Sequence, residues 1–382
     1  MSRLGASISL PPIMIDETTF SYVSRVLHLT SAASRAVVIR DLFGSSGVKV
    51  ELPLHSGLGE FSRRLWGEKN PDVVTHHSLI AIFQAFTEPK KYKNALEKAL
   101  GCEAGVHAPL GYFGKDVLFR TTPAFCPECA QQDLKKLNFA YFRRQHQIVA
   151  AEYCSAHEKK LITACDACGS SLSFFLPLGS RCHSCASDFL MKKTEIADAH
   201  RLSRIKLSQF ISLILAAEIP QVSASHRIAL IRKKSQGVVP SKSGCIGSNV
   251  ARFLLKLYGE DFLKKLRLDP RSTPSLGWPA LLLSGATMQA HPIANALLIS
   301  AFWESTTDYL EEILGSGVCE TDCIFHDKKL IGAFNIDTEM LRKVYHAALH
   351  NTKPPYHQNL KPWIRAYPGL QERIRSFATR NQ

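Results

Sequence analysis

Apolar residues along most of this 382-residue chain recur at intervals of three and four, a spacing that gathers them on one face of a helix. After an extended lead-in holding Pro11 and Pro12, the positions Phe20, Val23, Val26 and Leu27 predict a first helix with Asp16 as its N-cap and Glu17 favouring the dipole. Ala36, Val37, Ile39, Leu42 and Phe43 predict a second over 33–43, stopped by Gly44. The pair fits a helix-turn-helix and fits equally two packing helices. Residues 45–57 are rich in Gly, Ser and Pro and predict a loop, and further helices are expected over 58–66, 73–86 and 92–100.

The same periodicity returns after Phe189, with helices predicted over 205–217, 225–234, 248–258, 262–266, 278–284, 291–303 and 309–314, and a last helical segment from 341. In 248–258, Val250, Phe253, Leu254 and Leu257 face one way and Asn249, Arg252 and Lys256 the other. Asn and Arg can pair with base edges and Lys with phosphate, so this is a candidate recognition helix. Its connector from the preceding helix, 237–247, is longer than a usual helix-turn-helix turn. Arg232, Lys233, Lys234 and Lys242 are further cationic candidates, and a basic tail carries Lys361, Arg365, Arg373, Arg375 and Arg380.

The middle of the chain follows a different pattern. Cys126-Pro-Glu-Cys129, Cys154-Ser-Ala-His157, Cys165-Asp-Ala-Cys168 and Cys182-His-Ser-Cys185 are four pairs of soft donors, each with two residues between its ligands. Two such pairs close one tetrahedral ion, so the stretch predicts two structural Zn2+ sites. Chain order assigns Cys126, Cys129, Cys154 and His157 to one ion and Cys165, Cys168, Cys182 and Cys185 to the other; an interleaved arrangement is the alternative, and buried cysteines or disulfides are the reading without metal. Two complete four-donor sets leave no open vertex for water, which argues against metal catalysis. Between the pairs a helical insert is expected from 131 to about 145, ending in Tyr141-Phe-Arg-Arg-Gln-His-Gln147, whose Arg143 and Arg144 are candidate phosphate contacts and whose His146, like His183, is a spare imidazole.

The fold class expected is therefore mainly α with a central zinc-ribbon or zinc-knuckle module, α plus small β, between two helix-turn-helix-like helical domains. The expected divisions are 1–105, 106–195 and a basic 196–382. Lys and Arg number 47 against 33 Asp and Glu, a formal net charge of +14, which favours a polyanionic partner such as nucleic acid. No apolar run is long enough to span a bilayer and no secretory signal is apparent, so no membrane partner is expected. Cys102, Cys245, Cys319 and Cys323 lie outside the two sets; thiolate sites and unpaired cysteines together suit a reducing, intracellular compartment.

The run Phe125-Cys-Pro-Glu-Cys129, then Tyr141-Phe-Arg-Arg-Gln-His-Gln147, Cys154-Ser-Ala-His157, Leu161 and Cys165-Asp-Ala-Cys168 resembles the core signature of the TniQ/TnsD family, the target-site selectors of bacterial transposons. Asp16-Glu-Thr-Thr-Phe-Ser-Tyr-Val-Ser-Arg25 with Arg40-Asp-Leu-Phe-Gly44 is similar to the family's N-terminal helices, and His291-Pro-Ile-Ala-Asn-Ala-Leu-Leu-Ile299 to a segment of TnsD-type members. The chain departs from the family at Phe142 and Arg143, where Trp and His are usual. The resemblance implies a non-catalytic adaptor, cytoplasmic and nucleoid-associated in a bacterium, that marks a DNA target and recruits the transposon AAA+ ATPase. It also implies an alternative, docking on a CRISPR Cascade complex with its guide RNA, and leaves the oligomeric state, homodimer included, open. A zinc metalloenzyme and a zinc-containing transcription regulator are the competing classes; the first would need an open metal vertex or a carboxylate cluster, and neither is found.

Overall fold

The computed structural model describes residues 10–30, 34–111, 118–189, 198–216, 219, 221–238, 246–271, 277–285 and 291–315. The predicted segment from 341, the basic tail, Lys242, Cys245, Cys319 and Cys323 lie outside them. The helices, in chain order, are α1 (Thr19–Leu29), α2 (Arg35–Phe43), α3 (Leu58–Trp66), α4 (Pro71–His77), α5 (Pro89–Gly101), α6 (Pro127–Leu137), α7 (Arg201–Leu215), α8 (Ala224–Val238), α9 (Ile246–Tyr258), α10 (Glu260–Lys265), α11 (Trp278–Ser284), α12 (Pro292–Phe302) and α13 (Thr306–Gly315), with 3-10 turns at Ile80–Phe83 and Arg144–Gln147. Among the described residues, β structure is limited to isolated antiparallel bridges, which cluster around the cysteine pairs.

Three helix ends differ from expectation for local reasons. Asp16 does not cap α1: it sits at φ 60° and its carboxylate accepts from Arg144 Nε at 2.7 Å, while Thr18 takes the cap and accepts from the Ser21 amide. The helix expected over 73–86 breaks at Ser78, whose hydroxyl donates to the Val74 carbonyl at 2.6 Å and accepts from the Ile80 amide at 3.2 Å. That side chain competes with the backbone for the helix's own partners. The helical insert begins earlier than expected, with Pro127 at its first turn directly after Cys126, and ends at Asn138 in the left-handed conformation.

Two large hydrophobic cores hold the described elements, and a small third cluster of Ala124, Cys126, Cys129, Cys154 and Leu161 lies at the first cysteine pairs. One combines α1, α2 and α3 with the cysteine-rich segment: Phe20, Tyr22, Leu42, Phe43 and Phe61 share it with Phe125, Phe142, Leu178 and Phe189. The Phe20 ring meets Phe142 at 5.6 Å and Phe174 edge-on at 4.8 Å. The other joins α5 and Ile80–Phe83 to residues 148–151 and to the helices from α7 onward. At its centre α12 is buried almost all round, as its unbroken apolar sequence requires, and packs on α7, α8 and α9. Its Asn295 Oδ1 accepts from the buried Arg227 at 3.0 Å.

Both cores are bounded by the segment 140–151, and Arg144 pins them there. Besides Asp16, its guanidinium donates to the carbonyls of Thr75, Ser78 (3.1 Å) and Leu215 (3.2 Å). Four stretches of chain thus meet on one buried cation.

Candidate metal centres

Three of the four donor pairs are held by one backbone turn used three times. At Cys154, Cys165 and Cys182 the cysteine carbonyl accepts from the amide four residues on, Glu158 (2.9 Å), Gly169 (2.7 Å) and Ala186 (2.9 Å). Each cysteine amide donates at 2.8 Å to the carbonyl five residues on, Lys159, Ser170 or Ser187. A single antiparallel bridge closes the base, Tyr153 with Lys160, Ala164 with Ser171, and Arg181 with Asp188. The fourth residue is left-handed each time: Glu158 at φ 54°, Gly169 at 74° and Ala186 at 58°. Only the glycine takes this conformation without strain. The first pair is built otherwise, Cys126 as the N-cap of α6 and Cys129 in its first turn.

These turns bring the donors together in two sets, Cys126, Cys129, Cys154 and His157, and Cys165, Cys168, Cys182 and Cys185, each with its donor atoms within 4.8 Å of one another. In the first, Cys129 and Cys154 sulfurs are 3.7 Å apart, and His157 Nδ1 lies 3.6 Å from Cys126, 3.3 Å from Cys129 and 3.6 Å from Cys154. In the second, Cys165–Cys185 and Cys168–Cys182 are both 3.7 Å apart. A disulfide needs about 2.05 Å. Metal bonds of about 2.3 Å to sulfur and 2.0–2.1 Å to nitrogen, at the tetrahedral angle, give edges of about 3.8 Å and 3.6 Å. The donors therefore fit two tetrahedral ions of the zinc class, in the chain-order partition, with every vertex filled by protein.

The polar groups behind the donors suit that role. The Gln132 side-chain amide lies 2.8 Å from His157 Nε2. The facing atom is Gln132 Nε2; an imidazole that gives Nδ1 to a metal carries its proton on Nε2, so the amide turns over to present Oε1 as the acceptor that fixes ring and tautomer. In the second set Ser187 Oγ lies 3.1 Å from Cys165 Sγ and 3.0 Å from Cys185 Sγ, and Ser170 Oγ is 3.2 Å from Cys168 Sγ. The Ser187 hydroxyl, with the amides of Cys168 and Ala167, draws the Cys165 thiol down to about 6, and Ser170 lowers Cys168. Both serines stand two residues after the second cysteine of their pair, a repetition visible in the sequence that the donor pattern alone did not single out. The two sets differ in cover: all three cysteines of the first are buried, whereas Cys168 and Cys185 of the second are exposed. His183, the spare imidazole in that turn, is exposed and within 2.9 Å of the Pro177 carbonyl.

The cationic candidates separate into two groups. Arg143 and Arg144, expected at phosphates, are turned into the fold instead. Arg143 makes a two-pronged pair with Asp133, 2.7 and 2.8 Å, above the Tyr141 ring. Burial opposes its charge, but Asp133 and the nearby Cys129 outweigh it and keep its pKa above the ordinary value. Arg144 is the buried pin already described. By contrast Arg232 and Lys233 on α8 and Arg252 and Lys256 on α9 are exposed, and Asn249 Oδ1 accepts from Arg252 at 3.3 Å. Lys234 is half-buried, 2.7 Å from Glu312 and facing the Trp303 ring. On α9, Val250 and Leu254 are buried as the pattern requires, and α8 packs against α9.

Residues 9–161 match the family model TniQ. That match spans less than half of the chain. It takes in α1 to α6 and the whole first donor set, while the second set and the helices from α7 onward lie beyond it. The transposition protein TnsD of transposon Tn7, from Escherichia coli, is 22% identical over 146 residues, 37% of this chain. The match covers 29% of that relative's length. No helix among the described residues is long and apolar enough to cross a membrane.

Proposed function

We propose that the protein is a non-catalytic adaptor in DNA transposition that contacts target DNA and recruits the transposon's AAA+ ATPase. The TniQ match over residues 9–161 carries this reading, and the similarity to TnsD supports it. The two donor sets agree with an adaptor rather than a metalloenzyme: each could hold an ion whose whole coordination sphere is protein, and such an ion contributes folding energy instead of activating water. DNA is assigned to the exposed cationic side chains of α8 and α9, Arg232, Lys233, Arg252 and Lys256, together with Asn249, as expected for phosphate and base-edge contacts. Lys242 belongs to the same proposal from sequence, and Lys234 is secondary because Glu312 already engages it.

Selection of bound sequences from random and genomic DNA by the zinc-loaded protein, at near-physiological salt with competitor, tests the reading. Enrichment of one site, together with retention of a cognate AAA+ ATPase in a pull-down, is the expected result. Enrichment without ATPase retention would instead mark a transcription regulator. Salt-sensitive background binding alone would withdraw direct site recognition and leave docking on a Cascade complex, with co-purification as its test.

A further inference from the structure

The two donor sets differ in what an oxidant would meet. In the second, Cys168 and Cys185 are exposed while Cys165 and Cys182 are buried; in the first, Cys126, Cys129 and Cys154 are all buried. Two sulfur contacts of the second set cross between its knuckles, exposed Cys185 with buried Cys165 and exposed Cys168 with buried Cys182, each at 3.7 Å. Each accessible sulfur thus has a buried sulfur of the other knuckle at contact distance. Closing such a contact to a disulfide takes a movement of about 1.7 Å shared between two side chains. Cys129 and Cys154 of the first set are equally close at 3.7 Å, but both are covered. A change of bonding in the second set also reaches the fold, because Cys165 and Cys182 belong to the core that α1 to α3 share with the knuckles.

We propose that the second donor set is a peroxide-sensitive switch, in which hydrogen peroxide expels the metal ion and leaves Cys165–Cys185 and Cys168–Cys182 disulfides in its place. The exposed thiolate attacks one peroxide oxygen, the O–O bond breaks and hydroxide leaves, giving a sulfenic acid. The buried thiolate opposite then attacks that sulfur, the S–O bond breaks and a second hydroxide leaves. Solvent protons convert both hydroxides to water. Each disulfide passes two electrons to one peroxide, so two peroxides free one divalent ion from the four thiolates. Both disulfides run from one knuckle to the other, so they tie together what the ion held and the core beneath keeps its cover. The inference rests on the two-ion reading of the donor sets.

The test uses the full chain, loaded with zinc and counted by elemental analysis, then titrated with hydrogen peroxide while a weak chromophoric chelator reads the metal released. A sample without peroxide sets the spontaneous rate. One of the two ions should leave at least about tenfold faster than the other, since susceptibility follows exposure, and its release should be complete at about two peroxides per chain. Disulfides are then mapped by mass spectrometry after free thiols are blocked. Trypsin cuts after Lys160 and Arg181, so a bond between knuckles joins two peptides and a bond inside one knuckle does not. The expected map has the two peptides joined, fragmentation assigning Cys165 to Cys185 and Cys168 to Cys182, with Cys126, Cys129 and Cys154 blocked as free thiols. A reductant with added zinc should restore the second ion. Disulfides inside a knuckle, sulfinic acids without disulfides, or two ions lost at one rate or not at all would overturn the proposal alone. Fewer than two ions before peroxide is added would overturn the two-ion reading and the proposal with it.

Discussion

Replacing Arg144 with Met keeps most of the side chain's length while removing its charge, and it separates a structural arginine from a nucleic-acid contact. In the fold Arg144 is 3% exposed, pairs with Asp16 at 2.7 Å, and donates to three carbonyls from α4, its following turn and α7. Breaking a buried ion pair from one side costs about 3–5 kcal/mol. The stranded carbonyls add roughly 1 kcal/mol or more between them, because part of that loss is relieved by water and relaxation. A total near 4–6 kcal/mol follows, which for an m-value of about 3 kcal/mol/M lowers the urea midpoint by roughly 1.3–2 M. The assay is equilibrium unfolding of the zinc-saturated protein, followed by tryptophan fluorescence. Asp16→Asn alone should destabilise less, because its side chain stays partly solvated, and the double variant should lose clearly less than the sum of the singles, a coupling of more than about 1 kcal/mol. A midpoint within 0.3 M (about 1 kcal/mol) of the parent would refute the reasoning. So would a stable Arg144→Met protein whose only defect is weaker DNA binding.

The donor sets should hold two zinc ions per chain by elemental analysis; Cys168→Ser should lower this to one, and a chelator should strip the set containing exposed Cys168 and Cys185 first. Equal release rates from both sets would contradict the difference in cover. Burial holds His55 and His77 neutral, both at about 3 against an ordinary 6.5, so the unfolded chain binds more protons below that value. Their stability contribution is complete above pH 6.5 and is lost as pH falls towards 3, by roughly 2 kcal/mol for each at pH 5. His55→Gln, measured with zinc in excess, should flatten the slope between pH 7 and 5, and an unaltered slope would remove that histidine from the account. Charge reversal of Arg232, Lys233, Arg252 and Lys256 together should weaken DNA binding at least tenfold and reduce its salt dependence, with zinc content unchanged. Undiminished affinity would clear that surface of any role.

Helix positions were legible wherever one apolar face persists: α11 fills the expected 278–284, and α12 and α13 lie within a residue or a few of their patterns. Helix ends were less legible because capping groups have rival partners. Asp16 is as good a cap as Thr18 until Arg144 arrives from 128 positions away. The donor pairs were readable because the chemistry of each fits within four consecutive residues. The choice between partitions was not, since it depends on which turns the fold brings together. The arginines show the limit most clearly. Arg143, Arg144, Arg232 and Arg252 are alike in sequence, and only long-range packing delivers Asp133 and Asp16 to the first two while leaving the others at the surface. The two large cores draw on segments far apart in the chain for the same reason: periodicity identifies an apolar face but not what covers it.

The core that α1 shares with the cysteine-rich segment makes the first helix wait during synthesis. Ser21 Oγ accepts from the Phe142 amide at 3.0 Å across 121 positions. At about 5–20 residues per second, the ribosome delivers that partner roughly 6–24 s after the helix. Phe189, which completes the same face, comes later still and sits just past the last knuckle. Through that interval the apolar side of α1 to α3 is open to chaperones and proteases, and in the two-ion reading proposed above its closure waits on metal reaching the nascent knuckles. Zinc scarcity should therefore first be felt as turnover of newly made chains, with those already folded persisting.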